Sequence, residues 1–289
     1  MSKAEVVVTG LGFPEGPVVL PDGRVAFCEE YGQGLRVFDG TGLQDLAKTG
    51  GAPNGATLGS DGNLYVAQNG GVQAAWRADE MITPCIQRVS LAGDVEDLLF
   101  EVAGRTIMAP NDICFGPDGR LYFTDPAHGF DPDNKKDGYI LAAGEGGEGE
   151  VFVSPGPVYD NGLGFLPDGT LIWVESYTRN VMKLGERGPE LIYTLPENHI
   201  PDGFAVAEDG RIFIASVFSH GIDVISPEGE YLGLIELDDE AVCTNCAFDG
   251  STLWATDCVG IDHTKVFFDG RLWKIETDAV GMKMHAGQI

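Results

Sequence analysis

Six times along its length the chain writes a short apolar run, a turn centred on Asp-Gly and a second run rich in β-formers. That is the pattern of a β-hairpin. The clearest copy, residues 109–125, reads Ala-Pro-Asn-Asp-Ile-Cys-Phe-Gly-Pro-Asp-Gly-Arg-Leu-Tyr-Phe-Thr-Asp. Others run over 14–29, 53–67, 160–175 and 201–216, with a worn sixth over about 243–257. Their turn aspartates, Asp22, Asp61, Asp118, Asp168, Asp209 and Asp249, are spaced by 39, 57, 50, 41 and 40 residues. Hairpins at that period, with no helical pattern between them, predict one four-stranded antiparallel blade per repeat. The expected fold is therefore all-β, a six-bladed β-propeller forming a single domain over residues 1–289. A lone strand at about 4–9 precedes the first repeat, and the last blade, ending near 271–276, lacks an outer strand. Supplying that strand from the N-terminus closes the ring and hides the sheet edges.

One column of the repeat carries the functional reading. Seven residues before the turn aspartate stand Glu15, Asn54, Asn111, Asn161 and Asp202. The first strand of each propeller blade lines the axial channel, so these five oxygen-bearing side chains converge at its mouth. Turn chemistry accounts for any single Asn-Gly or Asp-Gly, but the chain has only nine asparagines and three of them fall in this register. Nor does it explain a glutamate there. Two carboxylates with amide oxygens and no Cys or His form a hard-oxygen set suited to Ca²⁺, or less specifically to Mg²⁺ or Mn²⁺. Without a cation, carboxylates about 4 Å apart repel by roughly 4 kcal/mol at an effective dielectric of about 20.

These motifs, together with the Pro-Glu-Gly-Pro opening, Asn-Gly-Leu-Gly-Phe and Pro-Asp-Gly-Phe-Ala-Val, resemble the SMP-30/gluconolactonase family along essentially the whole chain. Relatives include squid-type diisopropylfluorophosphatase and bacterial drug-responsive lactonase. The resemblance implies a propeller hydrolase with one divalent metal in the channel, held by Glu15, Asn111, Asn161 and Asp202. Calcium is the first expectation, with Mg²⁺, Mn²⁺ or Zn²⁺ as alternatives. Asn54 then falls to the substrate side. Two places depart from the family pattern. Ala109 stands where sugar-acid lactonases carry an Arg that grips substrate, and Ala205 stands where the phosphotriesterases place an Asp on a structural calcium.

The expected activity is opening of a lactone ring by metal-activated water, with Asp202 as general base. A phosphotriesterase, a non-hydrolytic enzyme and a binding propeller are the alternatives on this scaffold. No Gly-x-Ser-x-Gly elbow and no His-Glu-x-x-His motif is present to support a serine or zincin mechanism. Further substrate-side candidates follow the second strands of their blades: His128, Tyr177, Phe218 and His220. Trp76 joins them from an insertion at 70–84, read either as a lid or as packing against a neighbouring blade.

A formal charge of −27 sets nucleic acid and anionic membranes aside as partners, leaving a small-molecule substrate. No apolar stretch reaches spanning length and the N-terminal residues lack a signal-peptide core, so a cytoplasmic protein is expected, monomer or dimer. Six cysteines without a framework of close pairs fit a reducing compartment, and Cys243-Thr-Asn-Cys246 reads as core sulfur. The Gly-x-Gly-x-x-Gly match at 144–149 precedes a strand where a dinucleotide site needs a helix. The acidic loop at 131–137 reads as a solvated turn.

Overall fold

The computed structural model describes residues 3–73, 76–259 and 268–289. It is a six-bladed β-propeller, each blade a four-stranded antiparallel meander. The innermost strands are Pro14–Val19, Pro53–Leu58, Ile113–Phe115, Asp160–Phe165, Ile200–Val206 and Cys243–Asp249. Each touches the innermost strand of the next blade around a full circle. Blade six takes its outer strand, Ala4–Leu11, from the N-terminus, and Glu5 pairs with Lys274 and Val6 with Trp273. That antiparallel ladder ties the two halves of a split sheet together and leaves no open seam. A single 3₁₀ turn, Glu145–Gly147, is the only helical element among the described residues, and a strand follows it.

Local chemistry explains why the repeated hairpins form. At five turns the aspartate accepts the N–H two residues on, as Asp22 Oδ1 does from Arg24 at 3.2 Å and Asp168 Oδ1 from Thr170 at 2.9 Å. The glycine that follows adopts a left-handed backbone, φ 84° at Gly23 and 86° at Gly169, which a side chain would strain. The second strands, such as Val25–Glu29 and Leu171–Glu175, are buried along their whole length because blades pack on both their faces.

The core is divided among the blade interfaces. Val18, Ala26 and Leu35 of blade one meet Leu64, Val66 and Val89 of blade two, and comparable clusters fill each following interface. The last joins Val25, Phe27 and Phe38 to Trp254, Leu272 and Leu11, sealing blade six against blade one. All six cysteines are buried free thiols, those of Cys243-Thr-Asn-Cys246 included.

The second-strand ends carry a further column of buried polar groups that pins the loops at the mouth. Glu29 Oε1 accepts from Gly12 N at 2.7 Å, Asp125 from the N–H groups of Met108 and Ala109 at 2.9 Å each, and Asp257 from Val242 N at 2.8 Å. Each replaces a missing ladder bond just before an inner strand begins, which fixes where the axial residues start.

Candidate functional site at the axial channel

The five predicted positions lie at one end of the inner strands, the end opposite the Asp-Gly turns. Glu15, Asn54, Asn111 and Asn161 are buried, at 2, 4, 8 and 5 % exposure, whereas Asp202 is half-buried. The glycines that follow make room for this convergence. A Cβ on Gly16 would lie 2.6 Å from the Asn54 carbonyl oxygen, and one on Gly55 2.6 Å from Asp112 Oδ1. Six backbones cannot approach an axis this closely if each carries a side chain there.

Two of the asparagines have donor bonds from their amide nitrogens. Asn54 Nδ2 donates to Glu30 Oε1 at 2.7 Å, and Asn161 Nδ2 donates to Ser176 Oγ at 3.1 Å. The Asn111 side chain interacts with the Tyr159 hydroxyl. Asn54, with its nitrogen committed to Glu30, has its amide oxygen left to serve a ligand, and that Oδ1 is buried with no hydrogen-bond partner. A buried acceptor in that condition is costly unless something fills it.

The structure adds residues that sequence reading missed. Where four blades have glycine after the ring position, blade three has Asp112 and blade six has Asn245, and both side chains enter the axis behind the ring. Asn245 Nδ2 bridges Glu15 Oε2 at 3.2 Å and Asp112 Oδ2 at 3.4 Å. Blade six fills the ring position itself with Thr244, whose hydroxyl donates to the Pro14 carbonyl at 2.7 Å instead of facing a ligand. Its inner strand runs on to Asp249, so counting seven residues back from that turn lands on Val242, outside the strand. The break in the glycine column at Asp112 was the available signal. Glu30, buried beside Asn54, had none.

Burial dominates the electrostatics. It holds the Glu15 carboxyl well above the usual carboxylate range, and the charges of Asp202 and Asp112 push it further. Asp202 is raised by burial and by Asp112 and Glu30, partly offset by a hydrogen bond from Asn161. Asp112 is pushed up to about 6 by burial. Among the described residues no Lys or Arg forms a salt bridge to Glu15, Asp112 or Asp202. Clustered acids without a counter-cation, beside an amide oxygen lacking a donor, fit a hard divalent ion. Among the described residues no three His, Cys, Asp or Glu side chains are arranged to hold a metal, so any such ion would rely on the amide oxygens.

The remaining candidates lie around the mouth. His128 Nε2 accepts from Lys136 N at 3.1 Å and Nδ1 sits close against the Gly129 carbonyl, so both ring nitrogens are engaged within its own loop. Its ring packs on Tyr159, 5.9 Å between centres. Tyr177 accepts from Asp131 N at 2.9 Å and packs on Tyr159 and Phe130. His220 Nδ1 lies 3.2 Å from the Ala241 carbonyl, and Phe218 is 46 % exposed on the rim. The blade-two insertion forms a hairpin, Val72–Gln73 with Trp76–Arg77, and Ala74 and Ala75 lie outside the described residues. It packs on blade one, with Trp76 against Tyr31 at 4.8 Å and Glu80 N donating to Gln33 Oε1 at 3.0 Å.

Behind the ring, a cavity of about 310 Å³ runs down the axis from Asp112 and Asn245 to Met282, Met284 and His285 of the C-terminal segment.

Fold and ring together define a propeller with its polar centre at one end of the axial channel. The chain belongs to the SMP-30/Gluconolactonase/LRE-like family, whose pattern matches residues 13–258. It is 26 % identical over 288 residues to a gluconolactonase of Zymomonas mobilis, covering 86 % of this chain and 77 % of that protein. Among solved structures, a gluconolactonase from Xanthomonas campestris superposes with a TM-score of 0.75 at 19 % identity, covering 95 % of this chain and 89 % of the other. Regucalcin from Agrobacterium tumefaciens, a calcium-binding protein, gives 0.73 at 16 % identity, covering 96 and 95 %. At those identities the structural matches speak to the fold. Family membership and the Zymomonas relative support lactone hydrolysis in general.

Proposed function

We propose that this chain is a divalent-metal-dependent lactonase, with Glu15, Asn111, Asn161 and Asp202 holding the cation and Asn54 orienting substrate. The observation that carries the reading is the ring itself, in which two carboxylates of raised proton affinity are set among three asparagines, one of which buries an amide oxygen that no donor reaches. Hard oxygen donors favour Ca²⁺, with Mg²⁺, Mn²⁺ or Zn²⁺ as alternatives, and the calcium-binding neighbour supports that order.

A bound divalent cation supplies positive charge that offsets the carboxylates and stabilises the charge developing on the lactone carbonyl oxygen. Asp202, the least buried ring member, takes a proton from the attacking water as its oxygen bonds to the carbonyl carbon. The ring C–O bond then breaks, and the proton passes from Asp202 to the departing alkoxide, giving a hydroxy acid. Glu15 is fixed by Gly16 N–H at 3.0 Å and by Asn245, so it holds position while Asp202 moves the proton.

Asp202→Asn and Glu15→Gln test this. Each is expected to lower kcat/KM on γ- and δ-lactones by at least about 10²-fold, and Glu15→Gln to lower the metal content of purified protein. Acid release in a pH-indicator assay and elemental analysis read the two effects. Full rate and full metal in both variants would overturn the assignment.

A further inference from the structure

The mouth above the ring is not lined evenly. Position by position, the residue two before each ring side chain is Phe13, Ala52, Ala109 and Tyr159 in blades one to four. The loop after the second strand returns beside it. Tyr31 N donates to Gly12 O at 3.0 Å in blade one, and Tyr177 N to Val158 O at 3.0 Å in blade four. Aromatic pairs therefore occupy equivalent places in blades one and four, which lie opposite each other in a six-bladed ring. Phe13 and Tyr31 are 5.4 Å apart, and Tyr159 and Tyr177 are 5.4 Å apart. Each pair is extended outward by a third ring, Trp76 on Tyr31 at 4.8 Å and Phe130 on Tyr177 at 5.1 Å. In blades two and three the corresponding residues, Ala52, Gly70, Ala109 and Ala127, are too small to reach inward. Blades five and six place Ile200, Phe218, Val242 and Val259 at these positions, so aromatic and apolar residues line the mouth everywhere except at blades two and three.

The aromatic side chains reach the reacting centre. Tyr159 interacts with Asn111, and Tyr31 directly follows Glu30, the partner of Asn54. The floor is acidic, with Glu15, Glu30, Asp112 and Asp202, so an anionic substrate is repelled even when a divalent ion offsets part of that charge. Two cations border these rings, Lys135 4.9 Å from the Tyr177 ring centre and Arg77 donating to the Trp76 carbonyl at 2.6 Å, against the four acids of the floor. Aromatic faces bind planar apolar groups and offer few donors for a polyhydroxylated ring.

We infer that the substrate is an uncharged lactone bearing a planar aromatic or bulky apolar substituent, held against the aromatic side chains of the mouth, and not a sugar-acid lactone. The inference rests on the lactonase reading for its reaction, but its binding half stands alone.

Two measurements separate them. Steady-state hydrolysis of γ-phenyl-γ-butyrolactone, γ-butyrolactone and glucono-δ-lactone is expected to show kcat/KM at least tenfold higher for the phenyl compound, mostly through KM. Tyr177→Ala is expected to abolish that preference, and Tyr177→Phe to retain it. Binding of the matching phenyl lactam and gluconolactam, which resist hydrolysis, is read by quenching of Trp76 fluorescence with Trp76→Phe as blank. The phenyl lactam is expected to bind at least tenfold more tightly. Equal or better turnover and binding of the hydroxylated compounds overturns the aromatic mouth. Tight phenyl-lactam binding with no hydrolysis of any lactone supports the aromatic mouth and overturns the lactonase reading.

Discussion

Asn245 does at the single-residue scale what a cation would otherwise have to do alone. Its amide bridges Glu15 and Asp112, giving each acid a donor in a region where burial and mutual charge raise their proton affinity. A carboxyl whose pKa is higher in the folded state stabilises the fold while protonated, and that contribution is lost as pH rises through the folded value. For Asp112 the window runs from the unfolded value of about 4 to about 6. Metal-free protein is therefore expected to melt at progressively lower temperature as pH is raised across this window, and Asp112→Asn is expected to flatten the fall. Millimolar Ca²⁺ is expected to raise Tm more at pH 8 than at pH 4.5, since only the ionised ring attracts it. Thermal melts with and without chelator check all three, and a metal-free Tm indifferent to pH would count against the electrostatics described.

Each element in this fold does a local job, and the C-terminal segment is the one that spans several blades. Glu208 N donates to Val280 O at 2.8 Å, Met282 N to Val206 O at 2.9 Å and Ser60 N to Gly287 O at 2.7 Å, while His285 packs on Phe165 at 5.8 Å. The segment thus straps blades two, four, five and six together on the turn side and floors the axial cavity. With Gly281 N to Gly250 O and Ile289 N to the Tyr65 hydroxyl, removing residues 280–289 forfeits five hydrogen bonds, on the order of 5 kcal/mol at about 1 kcal/mol each. Denaturant melts of the shortened chain are expected to show a loss of that size, with activity retained below the new midpoint because the ring lies at the other end. None of this was legible in the repeat pattern, since the segment has no alternation and owes its place to contacts with distant turns. The inner strands and their turns were legible, because Asp-Gly chemistry and β-rich runs act within about fifteen residues and needed no partner to declare themselves.

For the whole molecule, closure and charge set the terms. The strand Ala4–Leu11 completes blade six, so the first and last parts of the chain are held in one sheet. The excess of 45 acidic over 18 basic residues loads that closed ring with like charge. Raising NaCl from about 0.05 to 1 M shortens the Debye length from more than 10 Å to about 3 Å. Tm is expected to rise with it, reading the relief of self-repulsion, whereas a salt-induced fall would mean that the surface ion pairs outweigh it.

By itself the sequence determined the number of blades, the closing strand and five of the axial positions, because each was repeated at fixed offset from a turn that chemistry makes unmistakable. It could not show that blade six would present Thr244 and Asn245 in that place, nor that Glu30 and Asp112 would join the acids, nor that aromatic pairs would face each other from blades one and four. Those depend on bringing together residues as far apart as the 230 positions between Glu15 and Asn245. Local propensity carries no record of such a meeting. The circular packing of six sheets decides it, by fixing which side chains share the axis.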